Sequence, residues 1–315
     1  LKDYPLKQQP EALYIQNHVF DIEVYLNHQR IGGRYREDGL QAMGWNHPLY
    51  LDILPSSWKE EGNILHIRLG LGEPNAILSP IILGDSVVLK ELYESRTFQQ
   101  VTVALWSLIA CVLMGVFTLS LWWFRRQDGL YLCFAIICFS WSLVMTYLVL
   151  PYSPIQHRTW LGLGYWAVDI AGFATFLFIN RLMLFKHKHL ERVLFLILLV
   201  SGLVLLTMNM RYHSLISSLT HGLQFLFCCY VLAKTACIAF TSRRQEAIWV
   251  SVGLALMLMI MFRDLYVFWQ AYQQPQRLPE STLMQYGFGI LLVIVFIYLI
   301  RVFVQALNDS ESLTK

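Results

Sequence analysis

The chain has 315 residues, 56% hydrophobic and 14% charged, with a net charge of +3 and a mean hydropathy of +0.48. Soluble domains carry about a quarter of their residues as charge, so a wholly water-soluble chain is excluded. The small net charge, with no dense basic patch, excludes nucleic acid as a partner.

The charge deficit is uneven. Residues 1–98 have the composition of a soluble domain, and the apolar excess begins after Val101. The chain opens at Leu1 without a basic–apolar–small leader pattern, so an export signal, and part of a first strand, are expected upstream. Strands are predicted over Ala12–Gln16, Phe20–Leu26, Pro48–Leu54, Asn63–Leu69 and Ile81–Leu89. Phe20, Ile22, Val24 and Leu26 alternate with Asp21, Glu23 and Tyr25, the period of a half-buried strand. Asn27-His28 and Gly32-Gly33 read as turns, and Pro55–Lys59 as a short helical turn. Several short strands with no long helix predict an all-β sandwich. Trp45, in the polar run Gly44–His47, is the candidate exposed aromatic for a sugar-like ligand, with Arg68 and Glu73 as charged partners for its hydroxyls. Tyr50 and Trp58 read as core or rim packing.

A membrane-crossing helix needs about 20 apolar residues. Such segments run over 100–124, 128–150, 159–185, 193–209, 214–240, 246–269 and 281–304, which predicts a bundle of seven transmembrane helices over 99–304 in a lipid bilayer. Alternate loops differ in charge. Arg125, Arg126, Lys186, Lys188, Arg192, Arg243 and Arg244 lie on one side, and only Arg158, Arg211 and Arg277 on the other. The bias of Lys and Arg toward cytoplasmic loops places 1–98 outside the membrane and the C-terminus in the cytoplasm. Trp122, Trp123, Trp160 and Trp269 sit at span ends, as interfacial aromatics do.

Ionisable groups inside spans are costly and face the protein interior or water. Asp169 lies about 15 Å into the third span by helical rise. His221 and Gln224 lie in the fifth span, and Arg263 and Asp264 in the sixth. These five form the candidate intramembrane polar network, with Asp169 expected to pair with Arg263. A structural ion pair, a ligand pocket or switch, and a proton path are the alternatives. Arg181 and Lys234 are near span ends, from which they snorkel.

No P-loop, Gly-x-Ser-x-Gly, His-Glu-x-x-His or Gly-x-Gly-x-x-Gly pattern is present, so no catalytic residue, metal site or cofactor is assigned. His187 and His189 are two apart and belong to a basic loop. The six cysteines all fall in apolar runs and read as small buried hydrophobes. The last span continues without a break into 305–315, where Phe303, Leu307 and Ser310 open a heptad-like spacing. That tail reads as the start of a cytoplasmic signalling helix and fits a homodimer.

Val24-Tyr25-Leu26-Asn27 with Ile31-Gly32, then Pro48–Pro55 and Gly62–Arg68, resemble strand and turn elements of galactose-binding-like jelly-roll domains. His28 stands where that family usually has Gly. A jelly-roll domain followed by seven spans resembles the bacterial seven-transmembrane receptors with diverse intracellular signalling modules. The resemblance implies a transmembrane sensor in the bacterial inner membrane, with a small-molecule or carbohydrate-like ligand outside. It also implies an output module inside, a histidine kinase of a two-component system or a diguanylate cyclase. A membrane transporter and an intramembrane enzyme are the competing readings.

Overall fold

The computed structural model describes residues 11–18, 21–35, 42–44, 46–70, 78–185, 187–208, 213–242, 245–273 and 283–314. They fall into two compact units. One comprises Leu1–Leu105, Tyr147–Trp160 and Tyr266–Ser281, the other Trp106–Thr146, Leu161–Leu265 and Thr282–Lys315.

The first unit holds six strands: β1 Ala12–Ile15, β2 Ile22–Leu26, β3 Gln29–Arg34, β4 Leu49–Asp52, β5 Leu65–Leu69 and β6 Ile81–Gly84. They form two antiparallel sheets of three strands, in the orders β4-β1-β6 and β3-β2-β5. Alternation along β1 builds two packing layers from four residues. Leu13 and Ile15 join Ile22, Val24 and Leu26 of the second sheet in one apolar core. Ala12 and Tyr14 face the other way, toward Leu89 and Tyr93. Both faces of β1 are therefore buried, which is why all four residues are shut off from solvent.

Two expectations fail here for stated reasons. Gly32-Gly33 is not a turn but the middle of β3, paired with Val24 and Glu23 beside an irregularity at Val24/Tyr25. Glycine inside a strand marks a bulge or a close backbone approach, and a Cβ on Gly33 would lie 2.8 Å from the Glu23 Cα. The turn is Asn27-His28 alone. Both residues have positive φ, 51° and 70°, the two-residue hairpin geometry that suits strand twist. Asn27 also ties this turn to the rest of the sheet edge, donating to the Ser57 carbonyl (2.9 Å) and Asn63 Oδ1 (2.8 Å).

The second failure is at Ile81–Leu89. The strand stops at Gly84, and Asp85 caps a helix, accepting from the amides of Val87 (2.9 Å) and Val88 (3.1 Å). This helix, α1 Ser86–Thr97, covers the β4-β1-β6 sheet with Leu89 and Tyr93. The first unit is therefore not all-β. A single π turn, Phe98–Thr102, joins α1 to α2 Val103–Phe124, so that Ser86–Phe124 is one helix of 39 residues.

The remaining helices are α3 Gly129–Val149, α4 His157–Leu182, α5 Lys188–Thr207, α6 His213–Ser242, α7 Gln245–Gln273 and α8 Met284–Thr314. With the Ser86–Phe124 helix they make, among the described residues, seven helices long and apolar enough to cross a membrane. The chain is thus a multi-pass membrane protein. In the second unit, α3 contributes the largest buried groups. Trp141 lies 4.1 Å from the Phe288 ring, and Phe134 contacts both Phe178 and Phe296. All six cysteines are free, and Cys111, Cys133 and Cys138 are buried. Arg181 is exposed, and its guanidinium reaches α3, donating to the Gly129 carbonyl at 3.2 Å and touching the Cys133 sulfur.

Loss of a side-chain N-cap costs about 1 kcal/mol. Asp85→Ala should therefore speed amide exchange over residues 86–89 in the purified full chain. The central strand β1 should keep its protection. Unchanged exchange at 86–89 would mean that the cap does not hold the start of α1.

Candidate functional site

The five intramembrane residues separate into two clusters. Asp169, buried on α4, is the centre of the first. Its Oδ1 accepts from Gln224 Nε2 at 2.9 Å. The Ser201 hydroxyl lies 3.1 Å from Asp169 Oδ2 and 3.1 Å from the Leu198 carbonyl, and its one proton serves one of them at a time. His221 Nε2 stands 3.5 Å from Asp169 Oδ1, long enough that this contact is electrostatic rather than a hydrogen bond. Ser217 Oγ meets the other ring nitrogen at 3.2 Å. Gly172, one turn after Asp169, leaves room for the Gln224 amide, since a Cβ there would come within 2.7 Å of it. One carboxylate is thereby joined to α5 through Ser201 and to α6 through Gln224 and His221.

The second cluster replaces the expected Asp169–Arg263 pair. Arg263 Nη1 donates to Asp264 Oδ1 at 3.0 Å. Asp264 is itself buried and accepts from the backbone amides of Leu283 (2.9 Å) and Met284 (2.8 Å). A side chain of α7 thus caps the start of α8, where four amides lack intrahelical partners. The expectation failed because depth along a helix does not reveal azimuth. Arg263 and Asp169 are at similar depths but have different neighbours.

Of the predicted outer ligand residues, Trp45 and Glu73 lie outside the described residues. Arg68, on β5, is exposed and sits beside Glu23 of β2. It bonds Glu23 Oε2 at 3.2 Å, while Arg30 takes Glu23 Oε1 at 3.3 Å. His28 and His66 lie side by side in the same part of this sheet, ring centroids 5.4 Å apart.

A third cluster was not anticipated. It brings together His18, Arg34, Asn46 and His47 with Gln100 and the α3–α4 connection, all in the first unit. Asn46 Nδ2 donates to the carbonyls of Gln100 and Leu148, each at 3.0 Å. The Met43 amide donates to the Pro151 carbonyl at 2.8 Å, and Ala42 bridges Tyr152. Arg34 Nη1 lies 3.2 Å from His18 Nε2 and donates to the His47 carbonyl at 3.0 Å, and Nη2 donates to the Pro48 carbonyl at 3.3 Å. Burial pushes the His47 imidazole down to about 4, with the Arg34 charge acting in the same direction. Burial likewise raises the Asp21 carboxyl, although the Ala42 amide donates to it. The available signal was Arg34 itself. β3 carries two cations, Arg30 and Arg34, and once Arg30 is paired with Glu23, Arg34 at the end of the strand asks for a partner.

Among the described residues, no group of three metal-ligating side chains converges. No protein-family model, curated protein or solved structure matches the chain.

Two predictions follow from this geometry. Polar contacts inside bilayers couple by about 0.6 kcal/mol on average and up to about 1.7 kcal/mol. In detergent unfolding of the full chain, Asp169→Ala and Gln224→Leu should couple within that range, whereas Asp169→Ala and Arg263→Gln should be additive. Coupling in the second pair and none in the first would restore the ion pair that the sequence reading expected.

The His47 prediction concerns pH. In the unfolded chain an imidazole takes a proton near pH 6.5, but folded His47 resists it down to about 4. Its contribution is therefore complete above pH 6.5 and lost as pH falls from there to about 4, a change of order 3 kcal/mol. The apparent Tm of the full chain should fall through that window, and His47→Leu should flatten the fall. An equal fall in the variant would assign the effect to other groups.

Proposed function

We propose that this chain is the sensing part of a transmembrane receptor. The outer unit takes a small extracytoplasmic ligand, with carbohydrate-like molecules one such class, and a change in its packing passes along the helices to a cytoplasmic output module. The observation that carries this reading is the unbroken helix Ser86–Phe124. Its first turns close the apolar layer over β1, and its last turns are a membrane span. A change in the outer packing thus acts on a bilayer-crossing rod with no loop to absorb it. Two sheets sharing one apolar core support the sandwich element of the jelly-roll resemblance.

The charge bias of the loops supports an extracytoplasmic outer unit and a cytoplasmic C-terminus, in a bacterial inner membrane. Helix α8 is 31 residues long, well beyond the roughly 20 that a span requires. The excess supports a rod reaching a histidine kinase or diguanylate cyclase module, in a homodimer. In this reading the chain itself binds and transmits and does no chemistry. The Asp169 cluster is the polar pin that gives α4, α5 and α6 a defined packing.

Fusing residues 1–315 to a diguanylate cyclase domain should give cyclic dinucleotide levels that change with the composition of the growth medium. Inserting two glycines after Gln99 should remove that response while the protein still reaches the membrane. Output that is constant across media, or a response that survives the insertion, would overturn the reading.

A further inference from the structure

Arg34 differs from Arg30 and Arg68 in what faces it. Arg30 and Arg68 share the carboxylate of Glu23. Arg34 is only partly exposed, and its hydrogen-bond partners are all neutral: the His18 ring and the carbonyls of His47 and Pro48. Among the described residues, no carboxylate lies within ion-pair distance of it. The nearest buried acid of the same segment, Asp21, is engaged by the Ala42 amide.

A guanidinium taken out of water without a counter-ion is costly, and a bonded anion relieves that cost. Burial lowers the affinity of Arg34 for its own proton, and the phenols of Tyr152 and Tyr93 are close enough to act against this. Two further side-chain atoms of this cluster are buried without a hydrogen-bond partner: His47 Nε2 and Gln100 Oε1. His47 and Gln100 are each more than nine-tenths buried. His47 supplies a carbonyl to Arg34, and Asn46 bridges to the Gln100 carbonyl. An arginine fork matches a carboxylate in two-point geometry. The partly used fork of Arg34, beside the buried His47 imidazole, is what a small carboxylate would engage.

We propose that the outer unit binds a small organic carboxylate at Arg34, between the end of β3 and the His47–Pro48 carbonyls. This names the ligand chemistry of the receptor described above and rests on that reading only for its purpose. The binding itself is a property of the chain alone. An anion drawing on Arg34 competes with the carbonyls of His47 and Pro48, next to the Asn46 and Met43 contacts that join this loop to the α3–α4 connection.

The test uses the full chain in nanodiscs, with phenylglyoxal as an arginine reagent and peptide mapping of the modified sites. Acetate and succinate are the probes, and glucose is the neutral control. Arg34 should react slowly without an anion. It should react about tenfold more slowly still when a carboxylate is present near ten times its Kd. Arg30 and Arg68, which are exposed, serve as internal references and should not change. In titrations of the same sample, Arg34→Gln should weaken succinate binding by roughly thirtyfold or more, and Arg34→Lys by less. The protection measurement is made on the unaltered chain, so it decides even if Arg34→Gln fails to fold. The site is overturned if neither carboxylate protects Arg34, if glucose protects it equally, or if a folded Arg34→Gln binds succinate as before. Protection with no signalling response in the cyclase fusion would instead retain the site and remove the receptor reading.

Discussion

The constraint on which the strand-bearing unit depends is the double burial of one short strand. Ala12–Ile15 has no face toward water, so two different layers must cover it. The second sheet covers Leu13 and Ile15. The other face is closed by Leu89 and Tyr93, side chains of a helix that goes on to become a membrane span. Each apolar side chain shut off in this way contributes roughly 1.5–3 kcal/mol relative to exposure. The start of that helix is therefore held by the same hydrophobic free energy that holds the sheets. Asp85 permits the sharp change from strand to helix by answering amides that would otherwise go unpaired.

Polar groups in the membrane half obey a stricter rule, since lipid offers no partners. The two buried carboxylates meet it differently. Asp169 is met by side chains from two other helices, and Asp264 by two backbone amides at the beginning of α8 and by the guanidinium of its own neighbour. The first arrangement sets which helices lie together. The second sets where a helix begins. Neither carboxylate meets the other cluster's partners, and this separates a packing pin from a capping device.

The junction around Asn46 and Arg34 follows a third logic. Its hydrogen bonds run mostly from side-chain donors to backbone carbonyls, many of them at chain turns where strands and helices have ended. Asn46 alone engages the carbonyls of Gln100 and Leu148. Such contacts hold loops without an apolar core of their own. They also leave polar atoms of His47 and Gln100 without partners, which a uniformly apolar interface would not do.

Much of this was legible in the amino-acid sequence. The seven spans followed from apolar run length, because an unbroken run of that length has no other stable environment. Strands β1, β2, β4 and β5 followed from alternation and turn residues, and Asn27-His28 was recognisable as a turn by composition alone. Asp169, His221, Gln224, Arg263 and Asp264 could be singled out as a set because polar residues in an apolar span must find partners, but not how the set divides. What the sequence could not provide was direction in space. The Gly32-Gly33 pair has the composition of a turn, and only pairing with β2 makes it a strand. Val87, Val88 and Leu89 have strand propensity, and only the Asp85 cap and the layer over β1 make them helical. Partner choice for Asp169 depended on helix azimuth, and the cluster at Arg34 on contacts between residues more than a hundred positions apart. Local pattern determines which residues must be buried or bonded, whereas the tertiary structure decides with whom, because burial is a property of each side chain and partnership is a property of the packing.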